Sequence, residues 1–235
     1  MKLIKNIIFI LFILTFVIIG YNLTNNKKQE DLLKKEIINL IKKDLYKDNY
    51  DIKIKTKGEY LKKEKKLKKH YKKLSDNIKI INSYLDNQDL INILSLDNIK
   101  NNAPNFEINY NLTNNVREKL NSSISIVISS EDAIKKILSD KELSYIKSEL
   151  KELKSIKEDT QMIVDDLNTF LNKVEVILNL LKNNSDNWYI KDNELYFKNN
   201  KLVNEYNNLY KDLNDYVKDK FSKYNKNSLT SLKTM

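Results

Sequence analysis

Between Leu143 and Leu181 the sequence carries an apolar seam in strict three-four alternation. Its positions are Leu143, Ile146, Leu150, Leu153, Lys157, Thr160, Val164, Leu167, Leu171, Val174, Leu178 and Leu181, and only Lys157 and Thr160 are not apolar. Such spacing lies along one side of an α-helix. The seam therefore predicts a helix over 140–182, roughly 60 Å long at ~1.5 Å per residue. Ile156, Ile163, Phe170 and Ile177 add a third apolar position per heptad in the second half. The stripe is then as wide as that of a bundle helix, and a bundle helix needs partners.

One partner is written downstream. Trp188-Tyr189-Ile190 and Leu195-Tyr196-Phe197 flank the turn-forming Asp192-Asn193. A two-residue hairpin over 187–198 would pair Lys191 with Glu194, Ile190 with Leu195 and Trp188 with Phe197. Leu202, Tyr206, Leu209, Leu213 and Tyr216 then repeat at helical spacing, so a last helix over 201–224 can return along the long one. Residues 226–235 are polar and read as a flexible tail.

Upstream, Leu33, Ile37, Leu40, Ile41 and Leu45 mark an amphipathic helix over 30–47, with continuity to the segment before it left open. Residues 50–57 alternate, with Tyr50, Ile52, Ile54 and Thr56 on one side and Asp51, Lys53, Lys55 and Lys57 on the other, which predicts a half-buried strand ended by Gly58. Leu67, Tyr71, Leu74, Ile78, Ile81 and Leu85 line a basic helix near 57–86. A short helix is expected around 89–96, followed by a loop at Pro104. Phe106, Ile108, Tyr110 and Leu112 alternate as a second strand would. Residues 123–128 are rich in β-branched side chains and read as a third, although Val116, Leu120, Ile124, Val127 and Ile134 also fit a helix over 114–130.

The N-terminus has a different chemistry. After Lys2 and Lys5, the run from Ile7 to Gly20 carries no charge. Its apolar residues Ile7, Ile8, Phe9, Ile10, Leu11, Phe12, Ile13, Leu14, Phe16, Val17, Ile18 and Ile19, with Leu3, Ile4, Tyr21 and Leu23 counted as interfacial flanks, fall between the ~7–15 residues of a signal-peptide core and the ~17–20 of a full span. Ile18 and Gly20 make a poor cleavage site before Tyr21, and Tyr21 stands where a bacterial lipobox needs cysteine. Residues 1–24 thus read as an uncleaved single-pass anchor, with secretion after signal cleavage as the alternative. A short basic tail before an apolar run places the body outside the cytoplasm, although lysines also flank its other side.

Charge is equally local. The chain's formal charge is +10, and residues 22–75 alone hold 18 lysines against 8 acids. The densest stretch contains Lys62, Lys63, Lys65, Lys66, Lys68, Lys69, Lys72 and Lys73, a candidate contact for an anionic surface polymer or anionic lipid. The bland reading is a solvated helix face. Nucleic acid is disfavoured, because phosphate forks and base readout draw on arginine and Arg117 is the only one.

Chemistry has few footholds. There is no cysteine, a single histidine, His70, and two distant glycines, Gly20 and Gly58. Thiol catalysis, cysteine-based metal sites and glycine-rich phosphate loops are excluded, and no cofactor is implied. Serine-lysine pairs such as Ser144 and Lys147 have a nucleophile's spacing, but the third glycine-containing box such enzymes use has no counterpart after Asn187. Tyr189, Tyr196 and Tyr210 form a candidate aromatic contact surface.

The expectation is a mainly α chain (α+β): an N-terminal transmembrane helix, residues 1–24, and a single elongated helical domain, residues 25–225, with a small antiparallel β element. Its work would be structural or interactive, binding a protein partner or itself through a coiled-coil-like seam near the membrane, without enzymatic activity.

Overall fold

The computed structural model describes residues 2–226 apart from 46–47, 51, 86–89, 91–92 and 193; side chains of residues 2–14, 16–18, 223 and 225–226 lie outside the description. The chain is mainly helical, with one two-stranded antiparallel sheet. Helices α1 (Lys2–Ile41), α2 (Gly58–Ser83), α3 (Leu96–Asn102), α4 (Glu107–Ile128), α5 (Ser130–Ile137), α6 (Asp140–Ser144) and α7 (Lys147–Asn183) precede β1 (Trp188–Lys191) and β2 (Glu194–Phe197), and α8 (Asn200–Lys226) follows. Two compact units emerge. Unit 1 comprises Met1–Asp44, Asp48–Lys72 and Glu131–Lys151; unit 2 comprises Leu45–Lys47, Lys73–Ser130 and Glu152–Met235.

In unit 1, α1 buries Leu33, Ile37 and Leu40, and α2 buries Leu67 and Tyr71. The two helices run the same way, since Gln29 meets Lys57 at the start of α2 and Glu36 meets Lys68 two to three turns on. A parallel pair needs a return crossing. From residue 43 back to residue 29 along α1 is about 21 Å, which residues 50–57 span only if nearly extended, at ~3.3 Å each. The alternation expected there is present in burial: Tyr50 and Thr56 face inward, while Lys53, Lys55 and Lys57 face outward. The described residues of this segment nevertheless form no strand. Its amides bond to side chains instead.

In unit 2, α7 carries the long seam. Leu153, Val164, Leu167, Leu171, Val174, Leu178 and Leu181 are buried, as are Ile163, Phe170 and Ile177 of the widened stripe. Buried Thr160 donates its hydroxyl to the Ile156 carbonyl at 2.6 Å, which explains how a polar residue occupies the seam. Helix α4 lies antiparallel along α7, with Tyr110 bonded to Asn179 and Arg117 to Asn172 and Glu175. Helix α8 returns along α7 as expected, with Asp212 on Lys173 and Tyr216 on Asp166. The hairpin has the expected register throughout: Trp188 opposite Phe197, Ile190 opposite Leu195, Lys191 opposite Glu194.

Several expectations are corrected. The long helix does not start at residue 140, because α6 ends at Ser144 and a turn at Tyr145 and Ile146 precedes α7. Residues 107–112 and 123–128 are helical, not strands, and belong to α4, with Phe106 at its N-cap. Asn109 and Thr113 are fully buried while Ile108 and Leu112 are exposed. The buried stripe is thus partly polar, and apolar alternation misplaced it. The short helix expected around 89–96 falls partly on residues outside the description; the described helix there is α3. The tail at 227–235 also lies outside the described residues.

Among the described residues no helix is long and apolar enough to cross a membrane. The side chains of the expected anchor from Ile7 to Ile18 lie outside those described, save Thr15, which is exposed. Ile19, Tyr21 and Leu23 are exposed on α1.

Candidate functional site

Unit 1 builds its most polar interior around Lys68. The sequence placed this lysine on the solvated basic face, but it is only 6% exposed. Its helical position explains why. Glu64, Leu67, Tyr71 and Leu74 follow the three-four spacing of the α2 seam, and Lys68 lies one turn after Glu64, so both are carried inward with the apolar residues.

The Lys68 ammonium spends all three of its hydrogens. It donates to Glu36 Oε2 at 2.7 Å, to the Lys53 carbonyl at 2.7 Å, and stands 2.7 Å from Glu64 Oε1. Glu36 turns its other oxygen to Lys55 at 2.7 Å. Glu64 takes on the return segment. The Lys55 amide donates to both its oxygens at 3.1 Å, and Thr56 donates its amide at 2.8 Å and its hydroxyl at 2.7 Å. One turn away the Lys57 amide donates to the Gln29 side chain at 2.8 Å. A carboxylate on a helix and an amide on another thus replace the neighbouring strand that 52–57 lacks.

Titration follows this geometry. Burial alone would raise the Glu36 carboxyl, but hydrogen bonds from Lys55 and Lys68 outweigh it and hold it below its ordinary value. Glu64 is likewise lowered, with burial opposed by Lys68 and by the Thr56 and Lys55 amides. Burial disfavours the Lys68 ammonium, yet Glu36 and Glu64 together raise it. All three stay charged at neutral pH.

Beside this network lies a cavity of about 190 Å3 lined by Glu36, Asn39, Lys43, Lys53, Lys55 and Lys68, with Leu40 its one apolar wall. Lys43 donates to the Asn49 carbonyl at 2.8 Å and stands over the Tyr50 ring.

The remaining basic residues are placed differently. Lys62, Lys65, Lys66, Lys69, Lys72 and Lys73 are exposed. Lys63 is half-buried and pairs with Glu142 at 2.9 Å. Of the aromatic candidates, Tyr189 and Tyr196 stack across the hairpin with ring centroids 5.5 Å apart. Tyr210 is not part of that pair and stacks on Tyr206 at 5.9 Å. Among the described residues no group of three or more acidic, histidine or cysteine side chains is arranged to hold a metal.

Sequence reasoning did not single out Glu36, Glu64, Lys43, Lys53 and Lys55. A signal existed for Glu64, the one acid between Lys62 and Lys73 and one that sits in register with the seam. For Glu36 and the lysines of the return segment no local pattern exists, because the crossing brings them together. No protein-family model, no curated protein and no solved structure matches this chain.

Proposed function

We propose that this chain is a single-pass membrane-anchored interaction protein, with residues 1–24 as the anchor and a helical body outside the cytoplasm that holds a protein partner or assembly near the bilayer. Its work is binding rather than catalysis. The supporting observation is the continuity of α1, in which the uncharged run and the residues that seat unit 1, Leu33, Ile37 and Leu40, belong to one helix. Forty residues of helix reach roughly 60 Å. The uncharged run from Ile7 to Gly20 covers roughly 21 Å of it and approaches the ~30 Å hydrocarbon core of a bilayer with its apolar flanks Leu3, Ile4, Tyr21 and Leu23, while burial in the body begins at Gln29. Such a helix fixes the body to its anchor without a flexible linker. Deleting residues 1–24 should move the protein from the membrane fraction to the soluble fraction with its helical circular dichroism intact. A truncated chain that still pellets with membranes would reject the anchor, and release by a signal peptidase would favour the secreted form.

A second reading rests on the exposed part of the basic face. Lys62, Lys65, Lys66 and Lys69 are exposed, a distribution suited to an electrostatic tether for an anionic surface polymer or anionic lipid. Replacing these four by Gln should abolish salt-sensitive binding to such polyanions, whereas Lys63 and Lys68, which have acidic partners, are left out. Unchanged binding rejects the tether.

A further inference from the structure

The hairpin ends on an open edge, and we infer that a second copy of this chain pairs with it, strand β2 against strand β2, to extend the sheet. The register decides which backbone groups are available. Lys198 donates its amide to the Asn187 carbonyl at 2.8 Å, so these two form a hydrogen-bonded pair, and such pairs alternate with non-bonded ones along an antiparallel ladder. Tyr189 with Tyr196 and Lys191 with Glu194 are then bonded pairs as well. Leu195 and Phe197 therefore turn their amides and carbonyls away from β1. Among the described residues these groups meet no hydrogen-bond partner, and no third strand adjoins the sheet. Open edges of this kind template pairing with another chain.

The outer face of β2 selects which chain fits. Glu194, Tyr196 and Lys198 alternate onto one side, and all three are exposed. Antiparallel pairing about a two-fold axis at Tyr196 sets Leu195 of each copy opposite Phe197 of the other, so the outward amides and carbonyls bond to one another. The same register sets Glu194 of each copy opposite Lys198 of the other, a self-complementary match of charge. Both charges are available for it. Among the described residues Lys198 has no acidic partner, and the Glu194 side chain accepts only the Tyr196 hydroxyl, at 2.8 Å. In-register parallel pairing would set Glu194 against Glu194, like charge on like. The β1 edge offers no such match, since an axis at Tyr189 places Lys191 opposite neutral Asn187.

The tyrosines gain from the same arrangement. Tyr189 and Tyr196 stack across the hairpin, yet they remain 48% and 37% exposed. On the axis Tyr196 meets its copy as a non-bonded pair, the position at which antiparallel strands bring Cα atoms closest, about 4.5 Å apart. The aromatic ladder then runs from Tyr189 through both Tyr196 rings to the other Tyr189, and aromatic cross-strand pairs stabilise a sheet. A two-stranded hairpin is marginal alone in water, and added strands support it. This inference stands on unit 2 and does not use the anchor reading.

The test uses the full chain in detergent micelles, followed by sedimentation velocity over a range of protein concentrations. A monomer to dimer equilibrium is expected for the wild type. Glu194→Lys and Lys198→Glu each set like charges opposite one another and should weaken the dimer at least about tenfold. Mixing the two variants restores both ion pairs in a mixed dimer, so affinity near that of the wild type should return, which also shows that neither variant is misfolded. Because the chain has no cysteine, a Tyr196→Cys substitution reports on the axis. Its expected Cα separation of about 4.5 Å lies within disulfide range, so mild oxidation should crosslink the copies, and far more slowly in Tyr189→Cys. A wild type that stays monomeric, a dimer indifferent to either charge reversal, no recovery on mixing, or equal crosslinking in the two cysteine variants would overturn the proposal. The fractionation experiment can fail without changing any of these readouts, so the two failures are distinguishable.

Discussion

Glu64 and Thr56 are joined twice, the carboxylate accepting the Thr56 amide at 2.8 Å and its hydroxyl at 2.7 Å. The pair converts a segment with the periodicity of a strand into a strap held by a helix. Two helices that run parallel leave a crossing between them that must be extended, and extended backbone without a neighbouring strand needs acceptors from elsewhere. Glu64 supplies them, and Lys68 neutralises the charge this requires at a residue only 1% exposed.

Glu64→Gln should therefore destabilise the protein by about 3–5 kcal/mol, because it leaves the Lys68 ammonium buried with one carboxylate fewer. The measurement is urea unfolding followed by circular dichroism. A double-mutant cycle with Lys68→Met should return a coupling above ~1 kcal/mol. Additive losses would show that the two residues do not depend on each other.

Acid and alkali should act on the same network with opposite signs. Glu36 and Glu64 are held below their ordinary 4.5, so the folded state binds fewer protons than the unfolded state. Their contribution is complete above pH 4.5 and is lost as pH falls through the lowered folded values. Lys68 is raised above 10.5; its contribution is complete below that value and is lost as pH climbs through the raised one. Stability should thus hold a plateau between about pH 5 and 10, with Glu64→Gln shallowing the acid limb. An acid limb as steep in the variant as in the wild type would count against the assignment.

What could be read in advance divides along the range of the interactions. The hairpin register was legible because Asp192 and the alternation on either side of it are neighbours in sequence, and a two-residue turn admits one pairing. The α7 seam was legible because eight of its ten seam positions from Leu150 to Leu181 are apolar. Residues 50–57 were half legible: pattern gave the inward residues but not the absence of a pairing strand, which depends on where Glu64 and Gln29 arrive. Helix α4 was misread because Asn109 and Thr113 occupy its buried stripe, where the Asn109 Nδ2 donates to the Ile93 carbonyl at 2.6 Å. Lys68 was misassigned to the solvated face for the same reason. Its burial is tolerable only with Glu36 beside it, 32 residues away.

Ser139 begins α6 with a capping box, its amide and hydroxyl donating to Glu142 at 2.6 and 2.8 Å. Ser139→Ala should cost about 1 kcal/mol. Glu142→Ala should cost more, since Glu142 also receives Lys63 at 2.9 Å and is 4% exposed. Thermal melts of the two variants give the order directly, and a milder effect for Glu142→Ala than for Ser139→Ala would contradict it.

Phe106 and Trp188 stack with centroids 6.0 Å apart, and the indole donates to the Leu181 carbonyl at 2.7 Å. Phe106 holds a left-handed backbone, with φ of 52° at the entrance to α4. That conformation costs a bulky residue about 1–3 kcal/mol, and complete burial of the ring offsets it. Phe106→Ala should therefore lose about 3–5 kcal/mol from the cavity it opens. Trp188 is the protein's only tryptophan, so its emission reports on this contact alone. It should lie to the blue in the native state and move to the red in Phe106→Ala before any unfolding. A native-like emission maximum together with a loss below ~1 kcal/mol would remove this pair from the core of unit 2.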